Sequence, residues 1–264
     1  ISAAHIGAGA AVGFAIGVTG VGGGSLMTPI LLLLGYAPAI AIGTDLLYAA
    51  LTKAGGVLAH SRQKTIDWGI VALLSAGSLP AAIATHIALA SHWLGESEFR
   101  DALLTQSLGA MLLVTALLLA LRSRLKQRAL ATRKKAETGL LIARRKLVTI
   151  AMGLLLGVCV TLSSVGAGAF AAAILMTLYT SSPSSQIVGT DIAHAVPLTL
   201  LAGIGYMLAG SVDYALLLGL LAGSLPAIQL GSRVGHRINE RHLRWVLTAL
   251  LAGLGVSYLA GALP

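Results

Sequence analysis

Gly43-Thr44-Asp45 returns 146 residues later as Gly189-Thr190-Asp191. At the same displacement Gly77-Ser78-Leu79-Pro80 recurs as Gly223-Ser224-Leu225-Pro226, and Asp67-Trp68 as Asp213-Tyr214. A Gly-rich tract precedes each triplet, Gly20-Val21-Gly22-Gly23-Gly24 in one half and Val165-Gly166-Ala167-Gly168 in the other, where the displacement slips to 144. The chain is a duplicated unit, and two copies of one segment must find a way to pack on each other. In an apolar chain such a duplication points to a transporter whose site lies where the halves meet.

This chain is apolar. Hydrophobic residues make up 56% and charged residues 10% of it, and the mean hydropathy is +0.88. The charges are clustered, leaving tracts such as Ala102–Leu121 and Trp245–Pro264 without any. That composition specifies a polytopic α-helical membrane protein, since a β-barrel would show short alternating segments. The single Cys159 excludes an internal disulfide and a Cys metal cluster, and reads as a small buried apolar residue. The net charge of +9 belongs to loops beside membrane spans, so a nucleic-acid partner is not expected. The chain opens at Ile1 with no signal-peptide n-region in view, and a start residue or short leader is expected ahead of it.

Ala3–Val18 and Leu26–Tyr36 are apolar arms around the break at Thr19–Ser25; Leu147–Leu162 and Ala169–Tyr179 flank a second break at Ser163–Gly168. Together the arms are too long for one span of about 20 residues, and each alone is short for one. The expectation is a re-entrant helical hairpin in each half, with a Gly-broken full span as the alternative. Three segments of spanning length follow each hairpin: Pro38–Ala59, Ile66–Ala90 and Ala102–Leu121, then Ser185–Ala209, Val212–Arg233 and Leu243–Ala260.

Charge tests that topology. Arg62/Lys64, the Arg122–Lys146 linker with its ten Lys/Arg against Glu137, and Arg233–Arg244 are the basic stretches. Two re-entrant hairpins put all three on the cytoplasmic side, satisfy the positive-inside rule, and leave both termini outside. Each repeat then crosses an odd number of times, so the halves are inverted. The predicted fold is an all-α polytopic membrane protein of two inverted repeats, residues 1–121 and 147–264, joined by a basic cytoplasmic linker at 122–146 that could also contact anionic lipid.

The broken tips expose backbone N–H groups that must be buried in protein or line a wet cavity. Gly22, Gly23, Gly24 and Ser25, with Ser163, Ser164, Gly166 and Gly168, are therefore candidates to hold a small oxyanion. The bland alternative is tight packing through small residues. Asp45 and Asp191 lie about 10 Å into their helices at 1.5 Å per residue. Each could accept a coupling proton, bind Na⁺, or cap an unwound segment. Thr44 and Thr190 offer hydroxyls beside them. Lys53 could pair with an Asp, attract an anion, or snorkel to the cytoplasmic end. His194, three residues after Asp191, is a proton relay, a donor to substrate, or a packed histidine. His60, Asp67, Asp213, His86 and His92 read as capping or interface residues. No metal-ligand spacing and no nucleotide-binding loop occurs, so neither a metal nor another cofactor is expected.

The ordered set Gly17-Val18-Thr19-Gly20-Val21-Gly22-Gly23-Gly24, Ala41-Ile42-Gly43-Thr44-Asp45-Leu46, Ala59-His60 and Ile66-Asp67-Trp68, with its second-half echo, resembles the TauE/SafE family of sulfite exporters and related permeases. It covers the chain apart from the basic linker. The chain departs from that family in carrying Asp45 and Asp191 where many members read Ser. The resemblance implies transport of a small sulfur-containing anion (sulfite, a sulfonate or thiosulfate) across the cytoplasmic membrane; the leading expectation is a secondary transporter working as an exporter, with Asp45 and Asp191 as candidates for proton coupling. Three other readings remain: a cation-coupled importer using the two Asp, an intramembrane enzyme using Ser164 and His194, and a membrane scaffold whose linker recruits a partner. Oligomeric state is not legible.

Overall fold

The computed structural model describes residues 2–19, 26–90, 97–132, 139–166, 168–235 and 240–261. Those residues form ten helices and no strands: α1 (Ala3–Thr19), α2 (Met27–Leu33), α3 (Pro38–Arg62), α4 (Trp68–Ala90), α5 (Ser97–Thr132), α6 (Gly139–Ser163), α7 (Ala169–Leu178), α8 (Ser184–Leu208), α9 (Tyr214–Gly235) and α10 (Glu240–Leu259). Five helical stretches have the length and hydropathy of membrane spans: Trp68–Ala90, Phe99–Leu121, Arg144–Ser163, Ser184–Leu208 and Tyr214–Arg233. The chain is an all-α, multi-pass membrane protein. Arg144–Ser163 is a finding against expectation, because this arm of the second hairpin has the length of a full span.

The halves exchange partners. The first arm of each packs along the fourth helix of the other: α1 along α9, and α6 along α4. Small residues make these approaches possible, as expected where lipid offers no hydrophobic drive. A Cβ at Gly9 would collide with the carbonyl of Leu220, one at Gly13 with Ser224 and one at Gly17 with Ile228. The second half repeats the register, with Gly153 against Leu74 and Gly157 against Ser78. In both pairs the numbers rise together, so α1 runs parallel to α9 and α6 parallel to α4.

The third helices of the two halves cross each other in the centre. Gly43 meets Tyr206 and Ser211, Gly203 meets Leu47, and Gly189 meets His60 and Thr65. Here the numbers run in opposite senses, so α3 and α8 are antiparallel. Two equivalent helices that cross antiparallel are related by an axis perpendicular to their length. Applying the 146-residue displacement converts Gly43, Tyr206 and Ser211 into Gly189, His60 and Thr65 with the roles exchanged.

Each hairpin returns to the end where it began. The Tyr36 hydroxyl, beyond α2, lies 2.6 Å from His5 Nε2 at the start of α1. The Tyr179 hydroxyl, beyond α7, lies 2.8 Å from Thr149 Oγ1 near the start of the described side chains of α6, and Arg145 stacks on the Tyr179 ring at 4.6 Å. Following the helix directions from these contacts gathers Arg62, Lys64, Arg144, Arg145, Lys146 and Arg233 at one end of the bundle. Asp67 and Asp213 cap α4 and α9, as expected: Asp67 Oδ1 accepts the N–H groups of Gly69 and Ile70 at 3.0 and 3.1 Å, and Asp213 Oδ1 that of Leu216 at 2.9 Å.

If the exchanged backbone contacts hold the halves together, Gly77→Val should lower the unfolding temperature by about 5–10 °C through overpacking. Gly55→Val, where an added Cβ meets nothing within 4 Å, should stay near wild type. Thermal unfolding of the detergent-solubilised proteins compares the two.

Candidate functional site

The polar residues buried in the bundle collect along the α3–α8 crossing. Thr44, Asp45, Thr190, Asp191 and His194 are each at most 4% exposed, as are Thr28, Ser78 and Ser164 around them. Burying so many polar groups is costly unless each finds a partner, so their hydrogen bonds separate the structural from the available.

Thr44 and Thr190 are tied across the halves. Thr44 Oγ1 accepts the N–H of Asp213 at 3.2 Å, and Thr190 Oγ1 accepts that of Asp67 at 2.9 Å. Each hydroxyl fixes the start of the other half's fourth helix. Ser163 is absorbed by its own turn: it donates to the carbonyl of Cys159 at 2.7 Å and accepts the N–H of Val165 at 3.2 Å. The tip itself is contorted. Ser164 is left-handed at φ 57, and Gly166 and Gly168 take φ 123 and 143, where a side chain would be strained. Gly22, Gly23, Gly24 and Ser25 lie outside the described residues.

Asp45 is held by both halves. Thr28 in α2 donates its hydroxyl to Asp45 Oδ2 at 2.5 Å. The Ser164 hydroxyl, at the tip of the second hairpin, comes up to the same carboxylate without completing an aligned hydrogen bond. Asp45 Oδ1, Ser164 Oγ and Asp191 Oδ1 are buried atoms with no hydrogen-bond partner. His194 Nε2 lies 2.8 Å from Ser78 Oγ, while its Nδ1 has no partner. His194 thus takes its hydroxyl from Ser78 in α4, and the Ser164 and His194 pairing that an intramembrane hydrolase would use is not formed.

Lys53 is the cation that acts on both carboxylates and on His194. It stands eight residues after Asp45, about 12 Å along α3. Asp191 sits beyond it, beside the level where Gly189 meets His60, so the two carboxylates are on the order of 20 Å apart along the helix. The two Asp do not share one chamber: they flank Lys53 from either end.

A family model described as sulfite exporter TauE/SafE matches residues 5–258. The chain belongs to this family. Similar proteins include the "Probable membrane transporter protein YjnA" of Bacillus subtilis (strain 168), 36% identical over 252 residues that cover 94% of this chain and 96% of the relative. Another from that organism, "Probable membrane transporter protein YdhB", is 28% identical and spans 92% and 95% of the two chains. A "Probable membrane transporter protein" of Xylella fastidiosa (strain 9a5c) is 26% identical over 90% and 87%. No solved structure matches the chain significantly. Membership in TauE/SafE makes this a protein of a membrane transporter family.

Three groups at this TauE/SafE core escaped sequence reasoning. Thr28 has no repeat to flag it, since the corresponding stretch of the second half reads Ala171-Ala172-Ala173-Ile174. Ser78 lies inside the repeated Gly-Ser-Leu-Pro, so a signal existed without a partner to explain it. Tyr48 stands 146 residues before His194, is 1% exposed, and directs its hydroxyl towards Ser224, the repeat equivalent of Ser78.

Removing the shared cation leaves two buried carboxylates without compensation. Lys53→Met should lower the unfolding temperature, and Asp191→Asn in the same chain should restore part of that loss. A double-mutant cycle on thermal unfolding measures the coupling. Additive effects would show that Lys53 does not act on Asp191.

Proposed function

We propose that this protein is a proton-coupled secondary transporter that exports a small sulfur oxyanion, sulfite or an organosulfonate, across the cytoplasmic membrane. The observation that carries the reading is the Asp45–Lys53–Asp191 arrangement: one lysine between two buried carboxylates, each with an oxygen that has no hydrogen-bond partner. Family membership supports the substrate class, through the printed description of a sulfite exporter.

In this reading the anion is held at the level of Lys53, between the two hairpin tips, with His194 as a neighbouring donor. Ser164 and Thr28 orient Asp45, and Asp45 and Asp191 take up and release the coupling proton on the two sides of the anion. Buried ionisable groups in a membrane bundle mark such pathways by default. Inversion of the repeats is supported by the antiparallel crossing of α3 and α8, and it makes the two carboxylates reachable from opposite faces. Alternating access is a rocking of one repeat against the other. The end that gathers Arg62, Lys64, Arg144, Arg145, Lys146 and Arg233 is the cytoplasmic one by the positive-inside rule.

Two measurements test this. Sulfite flux in proteoliposomes should saturate and respond to an imposed pH gradient, and Asp191→Asn should abolish the response while leaving residual flux. Pumping indifferent to both would reduce Asp191 to a structural role; absence of flux for sulfite, thiosulfate and a small sulfonate alike would defeat the substrate class. Topology is checked separately by a Ser182→Cys variant in a Cys159→Ala background. An impermeant thiol reagent should reach it only from the cytoplasmic face, whereas labelling from outside would defeat the hairpin arrangement.

A further inference from the structure

A cavity of about 610 Å³ opens at the end of the bundle opposite the basic side chains. Its wall includes the end of α4 at His86, the start of α5 at Arg100 and Asp101, and the end of α8 at Gly205, Tyr206 and Ser211. None of these was read from sequence as more than a capping or interface residue, and none belongs to the Asp45–Lys53–Asp191 arrangement.

Two features single the cavity out. The first is charge. Among the residues whose side chains the structure describes, the other lysines and arginines are Lys53, half-buried partway along α3, and those gathered at the basic end. Arg100 is the exception, a half-buried guanidinium at the opposite end, lining an open cavity. The positive-inside bias works against a cation there, and Asp101, the next residue along α5, lines the same cavity. A guanidinium presents planar paired donors that suit a small oxyanion.

The second feature is what lies behind the wall. Tyr206 lines the cavity and is 5% exposed. Its hydroxyl donates to the carbonyl of Thr161 at 3.0 Å, three residues before Ser164 on the hairpin tip that approaches Asp45. Gly43, two residues before Asp45, packs so close to Tyr206 that an added Cβ would collide with it. The ring is steadied from the cavity side by the edge of His86, with centroids 5.0 Å apart, and His86 Nε2 is held by the carbonyl of Ala202 at 2.8 Å. Tyr206 therefore joins the cavity wall to the turn of α3 that carries Asp45 and to the helix that leads to Ser164.

We propose that this cavity is an antechamber on the extracytoplasmic face, a binding site in which Arg100 holds a small oxyanion at the far end of the path from Lys53, with Tyr206 as the link between them. The proposal rests on the reading of the protein as an anion transporter and adds a second station to it.

Sulfite flux through reconstituted full-length protein, presented separately to each face, tests it. With Arg100→Gln, the half-saturating sulfite concentration at the extracytoplasmic face should rise about tenfold, the scale of one charge-assisted hydrogen bond. At the cytoplasmic face it should stay within about twofold of wild type. Arg100→Lys should recover part of the affinity. Equal changes at both faces, or none, would overturn the antechamber. A second variant keeps the test open should Arg100→Gln fold poorly: Ala209→Cys with Cys159→Ala, labelled from outside with a bulky impermeant thiol reagent and washed before sulfite is added. Blocked flux supports the site; undiminished flux in a fully labelled sample defeats it. If the wild-type protein carries no sulfite, thiosulfate or sulfonate at all, the transport reading itself fails, an outcome distinct from saturable flux that ignores Arg100.

Discussion

The hydrocarbon of a bilayer supplies no hydrogen bonds, and that lack governs which polar groups this chain can bury. Most of its buried hydroxyls answer with local bonds: Thr161 donates to Gly157 at 2.7 Å and Thr199 to Ala195 at 2.8 Å, each one turn back along its own helix. Thr44 and Thr190 answer across the halves and so weld α3 to α9 and α8 to α4. Among the described residues, buried side-chain atoms without a hydrogen-bond partner include those on Asp45, Tyr48, Asp191 and His194 in α3 and α8 and on Ser164 at the hairpin tip, with His5 and Thr115 lying away from them. Most of these atoms fall on the two central helices and the tip beside them, and that concentration has the character of a site. Two pairs among them, Asp45 with Asp191 and Tyr48 with His194, stand at equivalent positions of the two repeats, which a packing defect would have no reason to do.

The repeat is closely kept in the backbone and broken in the side chains. Glycines fix the helix approaches at matching positions in both halves, yet the chemistry differs at each matched pair. Lys53 corresponds to Thr199, His194 to Tyr48, and Thr28 to an apolar stretch. A perfectly symmetric core would put two lysines beside two carboxylates and leave an anion no excess of partners. With one lysine, the two carboxylates compete for a single cation, and whichever loses must be neutralised by a proton or an ion. Under the proposed rocking of the repeats, such side-chain asymmetry would let a ligand bind the two conformations unequally, which is what a ligand needs to shift a population.

The duplication made much of this visible in advance. Matched triplets located both central helices and both aspartates, and apolar run lengths located the six helices α3–α5 and α8–α10, although α5 runs on past Leu121 to Thr132 and only α4, α5, α8 and α9 among them carry a stretch with the length and hydropathy of a span. The basic clusters sorted the ends, because charge placement at a membrane is a one-dimensional signal that a sequence carries directly. Exchange of partners between halves was not legible. Gly9, Gly13 and Gly17 announce a close approach but not to what, and only the three-dimensional register pairs them with Leu220, Ser224 and Ile228. The start of the second hairpin's first helix was not legible for a related reason: Arg144, Arg145 and Lys146 read as linker, and α6 begins before them. Thr28 stayed hidden because its importance comes from a carboxylate 17 residues away, and a lone Thr in an apolar helix carries no pattern.

The spacing of the two carboxylates decides what sort of cycle the core can run. About 20 Å along α3, they are too far apart to bind one small ion together, and too deep to be reached from the same side at once. A cation-coupled importer built on a shared two-carboxylate cage is therefore disfavoured by geometry rather than by charge. Two stations separated by a fixed lysine favour a relay, in which the substrate charge and the coupling charge occupy neighbouring places and pass in turn. The hairpin that brings Ser164 to Asp45 supplies the hinge for such a relay. It is anchored at its base by Tyr179 on Thr149 and Arg145, and at its tip it rests on one strained serine whose hydroxyl is uncommitted. A segment fixed at the base and under-satisfied at the tip can change partners there without unfolding, as a rocking of one repeat against the other would require of it.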